Sequence, residues 1–314
     1  MPPDPVLNWL LESDQPAMRY LASRDLLKPH PGGRVLARLR SQVSRKGWAA
    51  KILSRQRERT WWVTKRTAYQ PKFHSTIWQL QVLADLGMSR EDERIANACE
   101  FWFDLHYNPK DGGYSDGTHQ EGRLQSHLCT TGNMVRSLIR LGYLHDERVE
   151  TAIQWLVDEQ LPDGGWDCFG RKRGNLDSWE GMSALGEIPP NRRMAEVRMA
   201  LAEGAEFFLR HRLLHEGAPF PRWRWLRYPW HYHYGVLVGL DFLSALPHRQ
   251  DIRMTEALEH LASKRLPHGR WALDHSNGNL VIEPPRQPSK MVTFLARRIA
   301  LRMGGKWKRR IEGS

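Results

Sequence analysis

Nowhere in its 314 residues does the sequence hold a run approaching the roughly 18 apolar residues that a membrane-spanning helix needs. The chain is therefore not expected to cross a bilayer. Cysteine is scarce: Cys99, Cys129 and Cys168 are odd in number and far apart, which reads as reduced thiols rather than a disulfide framework. The opening Met1-Pro2-Pro3-Asp4, with Glu12 and Asp14 close behind, lacks the basic start and apolar centre of a secretory signal. Together these absences point to the cytoplasm. Also missing are a Walker or dinucleotide glycine loop and a Gly-x-Ser-x-Gly nucleophile, so neither a nucleotide cofactor nor serine-hydrolase chemistry is expected. Asp111 and Asp116 lack the spacing and closing glutamate of a calcium loop and read as turn formers.

Positive charge and tryptophan are in excess. The formal charge is +12, concentrated between Arg34 and Arg59 and again between Arg297 and Arg310. Such clusters attract phosphates on nucleic acid, anionic lipid or a diphosphate substrate, or else form solvated helix faces. The second cluster alternates cations with Leu295, Ile299, Leu301, Met303 and Trp307, a pattern that predicts salt-sensitive, peripheral contact with an anionic membrane surface. Nucleic acid is the less favoured partner. The 14 tryptophans suit either a packed core or the wall of a cavity that receives apolar ligands or cations.

A loop recurs along the chain as Asp111-Gly112-Gly113-Tyr114, Asp163-Gly164-Gly165-Trp166 and His268-Gly269-Arg270-Trp271. Tyr114 and Trp166 lie 52 apart, Trp166 and Trp271 lie 105 apart, and Trp62 precedes Tyr114 by 52, so the period is close to fifty. The 105-residue gap leaves room for one degenerate copy near Gly217 to Trp223. Periods of this size belong to stacked or ring-closed repeats, in which each unit buries its apolar face against its neighbours. Segments before the loops carry apolar residues at helical spacing, such as Ile95, Ala98, Cys99, Trp102 and Leu105, and read as outer helices. Segments after them, such as 77–83, 132–141 and 291–301, are apolar all round and read as buried inner helices. Residues 7–11 and 18–27 add a further pair, with Ser13-Asp14 as the N-cap signal of its second helix, which makes six hairpins.

The segment Glu159-Gln160-Leu161-Pro162-Asp163-Gly164-Gly165-Trp166 resembles the Gln…Gly-x-Trp repeat of squalene cyclases and the related repeat of protein prenyltransferase β subunits, over about residues 45–305. The resemblance implies an all-α fold, an α/α toroid of inner and outer helical rings around a central cavity. We expect one domain over 1–305 and a basic tail over 306–314. It also implies an enzyme acting on a largely apolar, isoprenoid or polycyclic substrate, although toroids of this kind host several activities.

Aligning the starts of the inner helices brings polar residues into register: His74, His127, Asp177 and His231 follow one another at intervals of 53, 50 and 54. In this fold such positions converge on one mouth of the cavity. His127, Cys129, Asp177 and His231 are then candidate zinc ligands, since Zn²⁺ accepts N, S and O donors. The prenyltransferase resemblance supports this through an Asp-x-Cys pair and a later histidine, with His127 standing in the aspartate position. Asp177, His74 and His233 are the candidate catalytic residues. Both His231 and His233 face the cavity only if the chain from Trp230 is still extended there; Pro229 disfavours helix at the residue before it and leaves that open, and an earlier helix start would make one of the pair structural. Squalene cyclases carry a general acid in an Asp-x-Asp-Asp segment; Asp177-Ser178-Trp179-Glu180 occupies a similar place with one aspartate. Three readings therefore stand: an enzyme with a zinc site at the mouth, a metal-independent acid–base cyclase or isomerase using Asp177, and a non-catalytic toroid that binds a lipid, glycan, peptide or nucleic acid.

Overall fold

The computed structural model describes residues 4–122, 124–215, 221–276 and 282–313. Fourteen α-helices occur among them and no strand beyond isolated bridges. In chain order they are α1 (Pro5–Leu10), α2 (Pro16–Asp25), α3 (Gly33–Arg40), α4 (Gly47–Leu53), α5 (Thr76–Asp85), α6 (Glu93–His106) and α7 (Leu128–Leu141). There follow α8 (Glu147–Asp158), α9 (Glu180–Glu187), α10 (Ala195–Arg210), α11 (Val236–Ser244), α12 (Thr255–Ser263), α13 (Lys290–Met303) and α14 (Gly305–Glu312). The helices α2, α5, α7, α9, α11 and α13 form an inner ring in which each packs on the next. Gly87, just beyond α5, closes the ring against Tyr20 and Leu21 of α2. Helices α1, α4, α6, α8, α10 and α12 pair with them outside, so the chain is an α/α toroid of six hairpins. Inner helices bury nearly every side chain, as α5 does from Thr76 to Ala84, which is why their sequences are apolar all round.

Two kinds of bond recur in the loop, and Trp62 and Trp271 make both. Trp62, Trp166 and Trp271 each donate Nε1–H to a carbonyl ten residues earlier on the outer helix, Ile52, Leu156 and Leu261, at 2.8–2.9 Å. The backbone N–H of Trp62, Tyr114 and Trp271 donates to Thr76, Thr131 and Thr293 of the inner helix at 2.9–3.2 Å. One aromatic residue thus ties both helices of its hairpin to the loop. Gly164 sits at φ +86°, and a Cβ there would come within 2.4 Å of the Glu203 carbonyl, so the left-handed turn and the close approach both require glycine. A second repeat escaped the sequence reading: Asp92-Glu93-Arg94, Asp146-Glu147-Arg148 and Asp251-Ile252-Arg253 open three outer segments. In each, the aspartate accepts the arginine's N–H and grips its guanidinium.

Three expectations need correction. Ser13-Asp14 does not cap α2, which starts with Pro16 and has no side-chain cap; Asp14 instead holds Lys290 at 2.7 Å, together with Glu12 at 2.9 Å. Residues 306–312 of the expected basic tail belong to α14, which buries Trp307 and Ile311 against α12 and α13. For the same reason the carboxy-terminal apolar residues do not form a membrane-facing stripe: Leu295, Ile299, Met303 and Trp307 are all buried. Arg297 is bound to Asp4 and Glu312, and Arg298 to Asp25 and Asp241. No helix is long and apolar enough to cross a membrane among the described residues. Of the degenerate repeat copy, Gly217 lies outside the described residues, while Trp223 is buried.

Candidate active site

The aligned inner-helix starts do lie at one end of the ring, but they do not gather into one cluster. His127, the N-cap of α7, faces Asp116 at 3.4 Å. Cys129 hydrogen-bonds Cys168 through their thiols; that bond draws Cys168 down to about 7 and, with burial, drives Cys129 up. Asp177 accepts Trp223 Nε1–H at 2.9 Å, and burial raises its pKa despite that bond and the nearby Arg227. His74 lies half-buried in a groove with Arg55, Arg57 and Phe73. No three of His, Cys, Asp and Glu stand together as a metal would need among the described residues. The zinc set of His127, Cys129, Asp177 and His231 is thus divided among other partners, and these residues do not fit a tetrahedral site.

Helix α11 begins only at Val236, so His231 and His233 both precede it, which the proline left open. They diverge nonetheless. His231, at φ +50°, turns inward: it is 3% exposed, its Nδ1 lies 3.1 Å from Gln81 Oε1, and its ring packs edge-on to Trp78. An amide oxygen accepts, so Nδ1 carries the hydrogen and Nε2 the lone pair, and Nε2 has no hydrogen-bonding partner. Burial, with His233 and Arg136 adding, pulls its pKa to about 3, which keeps the imidazole neutral. His233 remains half-buried beside Tyr232, and burial with Arg227 next lowers it to about 4.

The residue that sequence reasoning passed over is Glu180. It opens α9, is 1% exposed, and packs so tightly on α7 that a Cβ on Gly132 would lie 2.6 Å from its own. Neither carboxyl oxygen has a hydrogen-bonding partner. Burial holds its pKa well above the ordinary glutamate range, and Cys168 and Asp177 push it further. More unpartnered buried atoms lie on the neighbouring inner helices and at the start of α9: Trp179 Nε1, Asn133 Oδ1, Arg136 Nε and Gln81 Nε2. Interiors normally leave few such atoms, so their concentration on α5, α7 and the start of α9 marks ground held for something other than stability. Trp230 joins these parts, crossing Trp179 edge to face at 6.2 Å and receiving the Arg136 guanidinium 5.0 Å from its centre. The signal for Glu180 was its position as fourth residue of the Asp177 segment; what a sequence does not display is its burial.

A cavity of about 500 Å³ opens at the opposite end, where the inner helices finish. Its walls combine charged side chains with apolar ones such as Leu21, Ile188, Phe242 and Phe294. Asp85 binds Arg136 and Arg140, Glu187 binds Arg140, and Asp241 binds Arg298 and Arg302. Arg40 and Arg193 donate instead to carbonyls at the ends of α5 and α9. The cavity floor includes Arg136, Trp230 and Ser183, the last being one turn of α9 from Glu180 on the same face.

No family model and no curated protein matches this chain. Solved structures do. The type II terpene cyclase MstE from Scytonema, in complex with its substrate geranylgeranyl dihydroxybenzoate, superposes with a TM-score of 0.54 at 14% identity, over 98% of this chain and 77% of that one. The same cyclase without ligand gives 0.50 at 15% identity, over 84% and 74%. Identities this low speak for architecture alone, and on that ground the chain is a divergent α/α toroid with the fold of the type II terpene cyclases.

Proposed function

We propose that this protein is a Brønsted-acid catalyst that cyclises or isomerises a largely apolar, isoprenoid-type substrate, with Glu180 as the acid. The observation that carries the reading is a fully buried carboxyl with no partner on either oxygen. A carboxylic acid donates to a carbon–carbon double bond only if no better acceptor holds its proton, and burial keeps that proton in place at neutral pH. Protonation moves the proton from the Glu180 carboxyl to one alkene carbon and leaves a carbocation on the other. The faces of Trp179 and Trp230 are suited to stabilise such a cation. Ring closure by a second double bond, or loss of a neighbouring proton, ends the sequence. His231 is the base for that last step: its neutral Nε2 is too weak to strip Glu180 beforehand, yet strong enough for the very acidic proton beside a carbocation. The fold shared with a cyclase of a geranylgeranyl compound supports the substrate class.

The test is incubation with prenyl and polyprenyl compounds, with cyclic or isomerised products read by mass spectrometry in wild type and Glu180→Gln. The amide keeps the shape and removes the acid. Loss of turnover on the order of 10²–10⁴-fold, the usual worth of a general acid, is the expected result. A variant that keeps wild-type turnover would dismiss Glu180 as the acid.

A further inference from the structure

Cys129 and Cys168 are brought together by the packing of two hairpins, and neither is used by the acid chemistry proposed above. Cys129 is the second residue of α7, and its carbonyl accepts from Asn133 Nδ2 at 2.9 Å. Cys168 comes from the next hairpin, two residues past Trp166, and its backbone N–H donates to Ser178 Oγ at 2.9 Å just before α9. Both backbones are thus held, on segments attached to helices that pack side by side. His127 gives α7 no side-chain cap, so the first turn has N–H groups to spare, and that of Cys129 donates to the Cys168 sulfur. The Cys129 thiol donates to the same atom. A sulfur that receives two hydrogens at a helix N-terminus is held as an acceptor, the state in which it is a nucleophile. Led by the thiol bond, these contacts draw Cys168 down to about 7 against the opposing effects of burial, Asp167 and Asp116. Both side chains are half-buried and within reach of a small solute, whereas Cys99 is wholly buried and burial drives its thiol up.

We propose that Cys129 and Cys168 form a reversible disulfide site oxidised by hydrogen peroxide, with Cys168 as the attacking sulfur and Cys129 as the resolving one. Attack of the Cys168 thiolate on peroxide forms an S–O bond, breaks the O–O bond and releases hydroxide, which becomes water by taking up the proton the thiol had lost. The sulfur, now a sulfenic acid, has given up two electrons. Cys129 then attacks that sulfur: the S–S bond forms, the S–O bond breaks, and the departing hydroxide takes the Cys129 proton as a second water. The two sulfurs are already in hydrogen-bond contact, and closing them to about 2.05 Å staples the α6–α7 hairpin to the α8–α9 hairpin. The loop so fastened carries Arg171, whose charge acts on Asp177. Oxidation also removes the Cys168 charge that acts on Glu180. That last effect bears on the function proposed above; formation of the disulfide does not depend on it.

The test is treatment of freshly reduced wild-type protein with a few equivalents of hydrogen peroxide at neutral pH, followed by digestion without reductant and peptide mass spectrometry. The expected product is a cross-linked pair of peptides joining residues 129 and 168, about 2 Da lighter than the two peptides together. The count of free thiols should fall from three to one, with Cys99 remaining, and thioredoxin should restore all three. Cys129→Ser, checked for its fold by circular dichroism, should instead hold Cys168 as a sulfenic acid that dimedone traps. In Cys168→Ser, peroxide should consume Cys129 at least about tenfold more slowly than it consumes Cys168 in wild type. Three free thiols surviving peroxide in wild type overturn the proposal, as does oxidation of Cys168 to sulfinic acid without a cross-link, or a bridge that includes Cys99 or a second chain. Glu180→Gln should form the cross-link as wild type does, so failure of the acid assignment leaves the disulfide site standing. A missing cross-link in an enzyme that turns over removes the disulfide site alone.

Discussion

The two ends of the ring carry similar residues to opposite purposes. Where the inner helices finish, seven arginines face four carboxylates, a formal surplus of three positive charges. Six helix carboxy-termini meet there, each worth roughly half a negative charge, so the surplus offsets the backbone field and the mouth is close to neutral. Nearly every guanidinium there has a carboxylate or carbonyl to hold. Where the helices start, the backbone field is positive and the side chains add to it, with Arg227 buried and Glu180 unpartnered. One end is an ion-pair network that fastens six helices together. The other keeps charge and hydrogen-bonding capacity unspent, as functional sites do at the expense of stability.

This contrast is open to attack through Asp241, which serves Arg298 at 2.7 Å and Arg302 at 3.0 Å from α11. Asp241→Ala takes the carboxylate from two cations one turn apart on α13, leaving Arg298 with Asp25 alone, and a loss of about 3–5 kcal/mol in urea denaturation is expected. A loss below about 1 kcal/mol would mean that this end is not the fastening. Between the two ends, the repeat loops set the spacing of the hairpins. Gly164→Ala forces a left-handed alanine against the Glu203 carbonyl and should cost about 2 kcal/mol, seen as a lower Tm.

The smallest effect sharpens the comparison most, because its sign is reversed. Glu180 has a raised folded-state pKa, so the native state holds its proton after the unfolded chain has lost it. That contribution to stability is complete below about pH 4.5 and is lost progressively as pH rises toward the folded pKa. Glu180→Gln removes the dependence. The variant should therefore match wild type in acid and become progressively more stable than it as pH rises above about 4.5. His231 contributes the opposite slope, because its folded pKa of about 3 lies below its unfolded value. It adds stability above about pH 6.5 that is lost as pH falls toward 3. Comparing the variant with wild type, both of which keep His231, cancels that slope.

Much of the architecture was legible because an aromatic residue recurs at a period near fifty, and Trp62, Trp166 and Trp271 each tie the loop to the outer helix by the same indole bond. The site was legible only in position. Register brought His74, His127, Asp177 and His231 to one end of the ring, yet register does not say which side chains turn inward. His231 does so through a left-handed backbone at a position where the residue type gives no warning. His127 and Cys129 find partners in Asp116 and Cys168, which lie in loops outside the aligned positions. Glu180 stood at the end of the Asp177 segment with no role assigned to it, since only the aspartate matched the acid motif. Only Gly132 on the facing helix, whose missing side chain admits it, makes it a buried acid. The basic carboxy-terminus misled for the converse reason: its apolar residues keep helical spacing whether they meet a membrane or, as here, the core.

The account turns on whether Glu180 is a neutral acid inside the ring, and infrared difference spectroscopy reads that directly. Wild type at pH 7, compared with Glu180→Gln, should show the carbonyl stretch of a protonated carboxylic acid that the variant lacks. The band should persist in wild type as pH is raised well above the ordinary glutamate pKa of about 4.3. A spectrum in which Glu180 appears as carboxylate at pH 7 would contradict the account, because a carboxylate in that position has no proton to give.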